Sequence, residues 1–312
     1  MEKSWEILER VLQASIREQR TARRWKNFFQ LSTLGLVVLA YVAGGPPLSE
    51  MWGDKSKGVT AKVSISGTIA EGERAGASVI SRGLEAAFKD PRTKAVILDI
   101  NSPGGSPVQA GRVYDEIKRE RSLHPNIKVY AVIGDLGASG AYYIASAADE
   151  IYADKASLVG SIGVTAASFG YVDLMKKLGV ERRAYTSGEH KAFLDQFQPE
   201  NPAETAFWQG VLQQTHKQFI AAVVAGRGDR LKVKENPELF SGLVWTGQQA
   251  VALGLVDKLG DANYVARDVV GAEKVVDFTP RGSALDRFAN RVGASMAGEV
   301  ATTLGLQGLE LR

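Results

Sequence analysis

The chain has 312 residues, enough for one large domain with appendages or for two ordinary domains. Its 45% hydrophobic and 23% charged residues are typical of a globular protein and exclude a collagen-like or disordered chain. The absence of cysteine excludes disulfides and a thiol nucleophile, and the net charge of +3 gives no reason to expect nucleic-acid binding. With three histidines and no His-Glu-x-x-His motif, we do not expect a catalytic zinc site.

The N-terminal part of the chain has the charge pattern of a membrane anchor. Residues 1–27 are polar and partly amphipathic, and they end in a basic cluster of Arg17, Arg20, Arg23, Arg24 and Lys26. An uncharged apolar run follows from Phe28 to Ala43 and is extended by Gly44 to Leu48, close to the roughly 17–25 residues of a spanning helix. We expect residues 28–47 to be an uncleaved signal anchor, residues 1–27 to be cytoplasmic, and the rest to lie outside the cytoplasm. A buried core helix and a cleaved signal peptide are the alternatives.

Beyond the anchor, short apolar runs alternate with helical patterns over residues 48–280, which we expect to form the main domain. The predicted strands are Val63–Ile69, Lys94–Ile100, Lys128–Ile133 and Ile151–Ala153. The predicted helices are Ala75–Phe88, Gln109–Arg119, Ala141–Ala148 and residues 203–225. Near-continuous apolar strands separated by helices indicate an α/β fold with a parallel sheet covered on both faces. Residues 281–312 are predicted to be a C-terminal helical tail.

Two glycine-rich turns follow consecutive predicted strands, at Pro103-Gly104-Gly105 and at Gly137-Ala138-Ser139-Gly140. Because the carboxyl ends of parallel strands meet at one edge of a sheet, both turns should lie at the same edge. Their backbone N–H groups could together bind a tetrahedral oxyanion. The alternative is a pair of tight turns that need glycine only for a positive φ.

Ser139 follows a predicted strand and precedes a predicted helix, so it is either a nucleophile or an ordinary N-cap residue. The histidines are poor candidates for its base, because His124 precedes a proline in a polar loop and His216 is expected on a helix surface. Lys191, beside His190, enters an apolar stretch after a turn. Lowering the lysine pKa from about 10.4 to about 8 requires roughly 3 kcal/mol of destabilisation of the charged form. The hypothesis that Lys191 is the base therefore requires a buried amine.

Four motifs occur together in an order that resembles the Ser-Lys signal peptide peptidases of the short, single-repeat form. The motifs are Asn101-Ser102-Pro103-Gly104-Gly105, Gly137-Ala138-Ser139-Gly140-Ala141-Tyr142-Tyr143, Gly160-Ser161-Ile162-Gly163-Val164, and Ser187-Gly188 with Lys191. The resemblance implies that Ser139 attacks the scissile carbonyl and that neutral Lys191 takes its proton. It further implies that Ser161 orients the lysine and that the N–H groups of Gly104 and Gly140 form the oxyanion hole.

The same resemblance implies a Clp-protease/crotonase-like superhelix of βα units that assembles into a homo-oligomeric ring beside a membrane. The implied substrates are apolar peptides, including remnant signal peptides, and the resemblance implies neither a metal nor a cofactor. The implied location is the bacterial inner membrane, with the catalytic domain on the periplasmic side. The alternatives are a related membrane protease with narrower targets, a crotonase-type acyl-CoA enzyme, and a non-catalytic scaffold of the same fold. In double-length relatives the serine and lysine belong to different repeats, so each site of this chain is expected to draw its lysine from a neighbouring copy.

Overall fold

The computed structural model describes residues 19–21, 23–36, 38 and 58–280. The chain divides into two units, Met1–Asp54 with Arg281–Arg312 and Lys55–Pro280. In the first unit, the described residues 19–21, 23–36 and 38 are helical. Across the described residues, we find no helix that is both long and apolar enough to cross a membrane. The part of the proposed anchor after residue 38 lies outside the described residues, and so does the predicted C-terminal tail.

The second unit contains an eight-stranded sheet. Its strands are β1 (Val59–Ser66), β2 (Thr93–Ser102), β3 (Lys128–Ala138), β4 (Glu150–Ala153), β5 (Leu158–Gly160), β6 (Val244–Thr246), β7 (Lys258–Leu259) and β8 (Val275–Asp277). The main path runs β6-β5-β3-β2-β1-β8, with β4 paired to β3 and β7 paired to β4. The β5–β6 pair is antiparallel. The other pairs are parallel, which confirms the predicted α/β class with a parallel sheet.

The helices connect these strands and cover the sheet. They are α1 (Ala77–Lys89), α2 (Pro107–Leu123), α3 (Gly140–Ala145), α4 (Val172–Leu178), α5 (Pro202–Arg227), α6 (Gly247–Ala252) and α7 (Ala262–Tyr264). Two short 3₁₀ turns lie at Gly228–Arg230 and Pro237–Phe240, and a π-helical turn lies at Val265–Val269. The predicted strands and long helices are present, with boundaries that differ by a few residues.

Alternating residues of β2 belong to two separate cores, because successive side chains of a strand point to opposite faces. Val96 and Leu98 are fully buried in the large cluster that also contains residues of α1, α2 and α3. Ala95 and Ile97 are buried in a smaller cluster that includes Val265 in the π-helical turn. Both faces of the central strands are therefore covered, as the continuous apolar sequence of β2 predicts.

The structure corrects the predicted end of β3. The sequence places a turn from Gly134 onward, but β3 continues to Ala138. Its first half pairs with β4, and its last three residues pair with β5. The three-residue β5 has no detectable sequence pattern of its own, so the extension of β3 that depends on it was not predicted. The helix after Ser139 is also shorter than predicted, since α3 ends at Ala145.

Candidate active site

Ser139 and Ser161 lie side by side at the carboxyl edge of the sheet. Ala138 and Gly160 are register partners in the parallel strands β3 and β5, and each serine is the next residue along its strand. The Ser139 N–H donates to the Gly160 carbonyl at 2.8 Å, so a backbone hydrogen bond joins the two segments. Since neighbouring strands are about 4.8 Å apart, this register sets the two serines on adjacent backbones.

The backbone of Ser139 is strained. Its φ is 53° and its ψ is −125°, in a region that residues with a Cβ rarely occupy and that costs them about 1–3 kcal/mol. Ser139 holds the N-cap position of α3, yet its side chain makes no capping hydrogen bond. The simple N-cap interpretation of Ser139 therefore fails. Its half-buried side chain instead lines a pocket.

Ser161 is held in a similar conformation by two contacts. Its φ is 50°, and its N–H donates to the Leu243 carbonyl at 2.7 Å. The Nε2 atom of His216 lies 2.9 Å from the carbonyl oxygen of the next residue, Ile162. Because a carbonyl can only accept, this contact requires the proton on Nε2. His216 is half-buried, so it is not a freely exposed residue of the helix but one that contacts the turn after β5.

The two glycine turns approach each other closely, as predicted. A Cβ on Gly104, whose φ is 94°, would lie 2.7 Å from both the Gly140 nitrogen and the Ser139 Cβ. The Gly104 N–H, however, donates to the Ser102 hydroxyl at 3.1 Å. Gly105 lines the pocket. The bridge between Ile69 and Gly105 uses the Gly104 carbonyl and the Ser106 N–H, which leaves the Gly105 N–H outside that pairing.

The glycines of the two turns differ in their hydrogen-bond partners. Gly140 is the first residue of α3, a position whose N–H has no acceptor within the helix. Gly140 and Gly105 both line the pocket, whereas the Gly104 N–H donates to the Ser102 hydroxyl. Gly104 and Gly140 stay the predicted oxyanion donors, and Gly105 is a further candidate in the same turn.

The pocket beside Ser139 has a volume of about 430 Å³. The lining residues come from both glycine turns, the segment after β5, helix α5 and the turn before β6: Gly105, Pro107, Ala110, Ser139, Gly140, Tyr143, Ser161, Gly163, Val164, Thr165, Thr215, Gln218, Phe219, Ser241 and Gly242. The ring of Tyr143 packs edge-on against Phe219 at 5.0 Å between centroids. The pocket thus combines apolar residues, such as Ala110 and Phe219, with residues that carry hydroxyl or amide groups, such as Thr215 and Gln218, and this mixture suits a short peptide segment.

Lys191 lies outside this pocket within the single chain. Its side chain is exposed, and it is not among the lining residues. His190 is exposed as well. One copy of the chain thus brings together Ser139, Ser161 and Gly140 but leaves the predicted base in solvent. The burial that a lysine base requires must come from another source.

A buried ion pair supports the helix that follows Ser139. The Tyr142 hydroxyl of α3 donates to the Leu255 carbonyl at 2.7 Å, and burial raises the pKa of this phenol. Nearby, the Arg227 guanidinium binds both carboxylate oxygens of Asp257, at 2.6 and 3.0 Å. Burial alone would raise the pKa of Asp257, but hydrogen bonds and attraction from Arg227, with help from the Ile151 N–H and Arg230, hold it below its ordinary value.

A serine on a strained turn between a strand and a helix, in a pocket lined by backbone N–H groups, is typical of a serine hydrolase. Residues 121–275 match the family described as Peptidase family S49. A putative protease of Synechocystis sp., slr0021, is 33% identical over 216 residues, which are 68% of this chain and 75% of that protein. The chain belongs to peptidase family S49, which confirms the family predicted from its motifs.

For other relatives, this chain matches a smaller share of the relative's length. The Na(+)/H(+) antiporter NhaA of Brucella abortus (strain 2308) is 47% identical over 188 residues, which are 60% of this chain but 25% of that protein. A putative signal peptide peptidase SppA of Enterococcus faecium is 32% identical over 61% of this chain and 54% of that protein. The structure of the 1510-N stomatin-specific protease K138A mutant covers 76% of this chain and 98% of its own, at 15% identity and a TM-score of 0.46.

Proposed function

We propose that this protein is a membrane-anchored endopeptidase in which Ser139 is the nucleophile and Lys191 of a neighbouring copy is the general base. The observation that carries the proposal is the strained Ser139, whose side chain is left free of its capping role and lines a pocket next to Ser161. Attack by the hydroxyl on a peptide carbonyl would place the oxyanion near the N–H groups of Gly140 and of the Gly104-Gly105 turn. Ser161 would hydrogen-bond the lysine amine and orient it.

The exposed position of Lys191 favours a site shared between copies over a site within one chain. A lysine base must lie in a site that excludes water, which an exposed side chain does not have. Insertion of the Lys191 side chain into the pocket of a neighbouring copy would desolvate the amine. Assembly into a ring of the Clp-protease/crotonase-like type would then be a condition of catalysis.

The proposed substrates are apolar peptides in extended form, including signal peptides left in a membrane after export. The aromatic residues Tyr143 and Phe219, which line the pocket, support this choice. The proposed location is a single-pass anchor in the bacterial inner membrane with the catalytic unit on the periplasmic side. Phe28 and Phe29 at the start of the proposed anchor, and Trp25 just before it, are exposed on a helix.

A mixing experiment tests the proposal. Ser139→Ala and Lys191→Ala proteins should each be folded and inactive on an apolar peptide, because attack needs both groups. When the two are co-assembled from dissociated subunits, some interfaces join an intact Ser139 to an intact Lys191, and activity should return in part. Activity that stays at zero in rings shown to contain both variants would refute the shared site.

A serine-directed covalent probe separates this function from the alternatives. We expect labelling that depends on Ser139, whereas a non-catalytic scaffold would not react. Turnover of peptides but not of acyl-CoA thioesters would exclude a crotonase-type enzyme. The Ser161→Ala variant should retain some activity, because it loosens the orientation of the lysine and removes no reactive group. Wild-type activity of this variant at every pH would remove Ser161 from the mechanism.

A further inference from the structure

The segment that carries Lys191 is a run of turns, which we call the lysine loop (residues 188–198). Its internal hydrogen bonds are donated from Lys191 N to Gly188 O at 3.1 Å, Phe193 N to His190 O at 3.2 Å, Asp195 N to Ala192 O at 3.2 Å, and Gln198 N to Asp195 O at 3.0 Å. Short turns of this kind have little stability by themselves. The position of Lys191 therefore depends on the contacts that anchor the loop to its surroundings.

One anchor is an ion pair between Arg182, which precedes the loop, and Asp195 near its end. The Arg182 Nε donates to Asp195 Oδ2 at 2.8 Å, and the Asp195 side chain is only 7% exposed. The other carboxylate oxygen accepts the Phe197 N–H at 3.0 Å. The guanidinium also lies 5.0 Å from the centre of the Phe197 ring. A charge-assisted bond and a cation–π contact thus close the loop at its base.

A second anchor lies one residue earlier. Leu194 has a φ of 53°, and its N–H donates to the Glu204 carboxylate at 2.9 Å in the first turn of α5. A non-glycine residue persists in this conformation only where its surroundings enforce it, and such residues cluster at functional sites. Phe193 adds edge-on contacts to Phe207 and Trp208 of the same helix. The loop is therefore fixed both to α5 and to the segment that contains Arg182.

The neighbouring ion pair provides a contrast. Arg183 lies 2.9 Å from Glu181, but the side chains of this pair are 70% and 72% exposed. Such surface pairs contribute little, because water and salt screen them. Arg182 and Arg183 are thus adjacent residues of equal charge. Arg182 binds a nearly buried carboxylate, whereas Arg183 pairs with an exposed one.

We propose that Arg182 and Asp195 are positioning residues that hold the lysine loop in the shape that delivers Lys191 to the Ser139 of a neighbouring copy. The proposal rests on the function proposed above. Because Lys191 is exposed within its own chain, it must be presented outward before assembly. A loop already ordered by the Arg182–Asp195 pair avoids the loss of conformational entropy that a flexible loop would suffer when it enters the partner site.

The first test compares single variants of the full-length protein. Asp195→Asn and Arg182→Gln should lower kcat by about tenfold or more, up to the roughly 100-fold loss that a misplacement of about 1 Å can cause. KM for a short peptide should change little, since neither residue lines the pocket. Arg182→Lys should be intermediate, because lysine keeps the charge but not the planar group. The matched control, Arg183→Gln, should retain wild-type kcat and KM.

The second test asks which copy carries the defect. In mixed rings of Ser139→Ala and Lys191→Ala subunits, the Ser139→Ala copy donates the lysine and the other copy donates the serine. Asp195→Asn added to the lysine donor should abolish most of the recovered activity. The same substitution added to the serine donor should leave it unchanged. Equal losses in both arrangements would mean a general structural role and would overturn the proposal.

The two proposals fail in different ways. If the mixture of Ser139→Ala and Lys191→Ala subunits recovers no activity, the shared site is wrong. The kcat values of Asp195→Asn and Arg182→Gln, compared with that of Arg183→Gln, then show whether the ion pair still positions Lys191. If the mixture recovers activity but Asp195→Asn and Arg182→Gln match Arg183→Gln in kcat, the positioning role is wrong while the shared site stands. Comparable ring assembly of all variants, measured by size-exclusion chromatography in detergent, ensures that a loss of kcat is not a loss of oligomer.

Discussion

Replacement of Gly104 by alanine should disrupt the serine site through a contact that the structure defines closely. The new Cβ would lie 2.7 Å from the Gly140 nitrogen, 2.7 Å from the Ser139 Cβ and 2.8 Å from the Ala138 carbonyl oxygen. Two of these three atoms belong to the backbone, so no flexible side chain can move aside. The substitution must therefore push the Gly104 turn away from the turn that carries Ser139.

The expected cost has two parts. A positive φ at a residue with a Cβ costs about 1–2 kcal/mol. Overpacking in a well-packed region costs about 1–3 kcal/mol more. Gly72→Ala is the matched control, because Gly72 has a φ of 82° and a Cβ there meets nothing within 4 Å. Gly72→Ala should therefore show only the cost of the positive φ. Alanine also lowers the conformational entropy of the unfolded chain, and this effect is the same in both variants.

We expect Gly104→Ala to lower the free energy of unfolding by about 1–3 kcal/mol more than Gly72→Ala does, as measured by urea unfolding followed by circular dichroism. The rate at which a serine-directed probe labels Ser139 should fall as well, up to about 100-fold if the hydroxyl moves by about 1 Å. Gly72→Ala should label at the wild-type rate. Equal stability and equal labelling of the two alanine variants would refute the close approach of the turns.

Three further predictions concern the supports of the site and the anchor. His216→Ala removes the hydrogen bond to the Ile162 carbonyl and should lower kcat. His216→Gln keeps an N–H donor and should restore part of the kcat. An unchanged kcat for His216→Ala would contradict the idea that His216 holds the turn that carries Ser161. Asp257→Asn should destabilise the protein by about 3–5 kcal/mol at neutral pH, because Arg227 is left buried without its partner. Because folding lowers the pKa of Asp257, the ion pair stabilises the protein above the ordinary pKa of 3.8, and this stabilisation is lost as the pH falls through the folded-state pKa. In urea unfolding at several pH values, the free energies of unfolding of wild type and Asp257→Asn should therefore converge in acid. A difference that stays constant with pH would contradict the role of this carboxylate. Alkaline phosphatase fused after Leu48 should be active, and an inactive fusion with an active cytoplasmic reporter at the same point would reverse the proposed orientation.

The position of the predicted nucleophile follows from local sequence alone. Continuous apolar residues identify β2 and β3, and glycine-rich turns after each strand predict where backbone N–H groups gather. These signals are local, because strand propensity and turn chemistry depend on a few consecutive residues. They were sufficient to place Ser139 at the carboxyl edge of a parallel sheet, whereas the family was predicted from the resemblance of four motifs to a known family.

Only the tertiary structure decided what surrounds Ser139. The three-residue β5 pairs with β3 and sets Ser161 beside Ser139, although so short a strand has no periodic pattern to detect. His216 reaches the Ile162 carbonyl across 54 positions of sequence, and the hydroxyl of Ser102 accepts the N–H of Gly104, one of the two predicted oxyanion donors. Lys191 is predicted from its motif, but its exposure is a property of the folded chain. Such relations depend on long-range packing and hydrogen bonding, which a local pattern of residues does not encode.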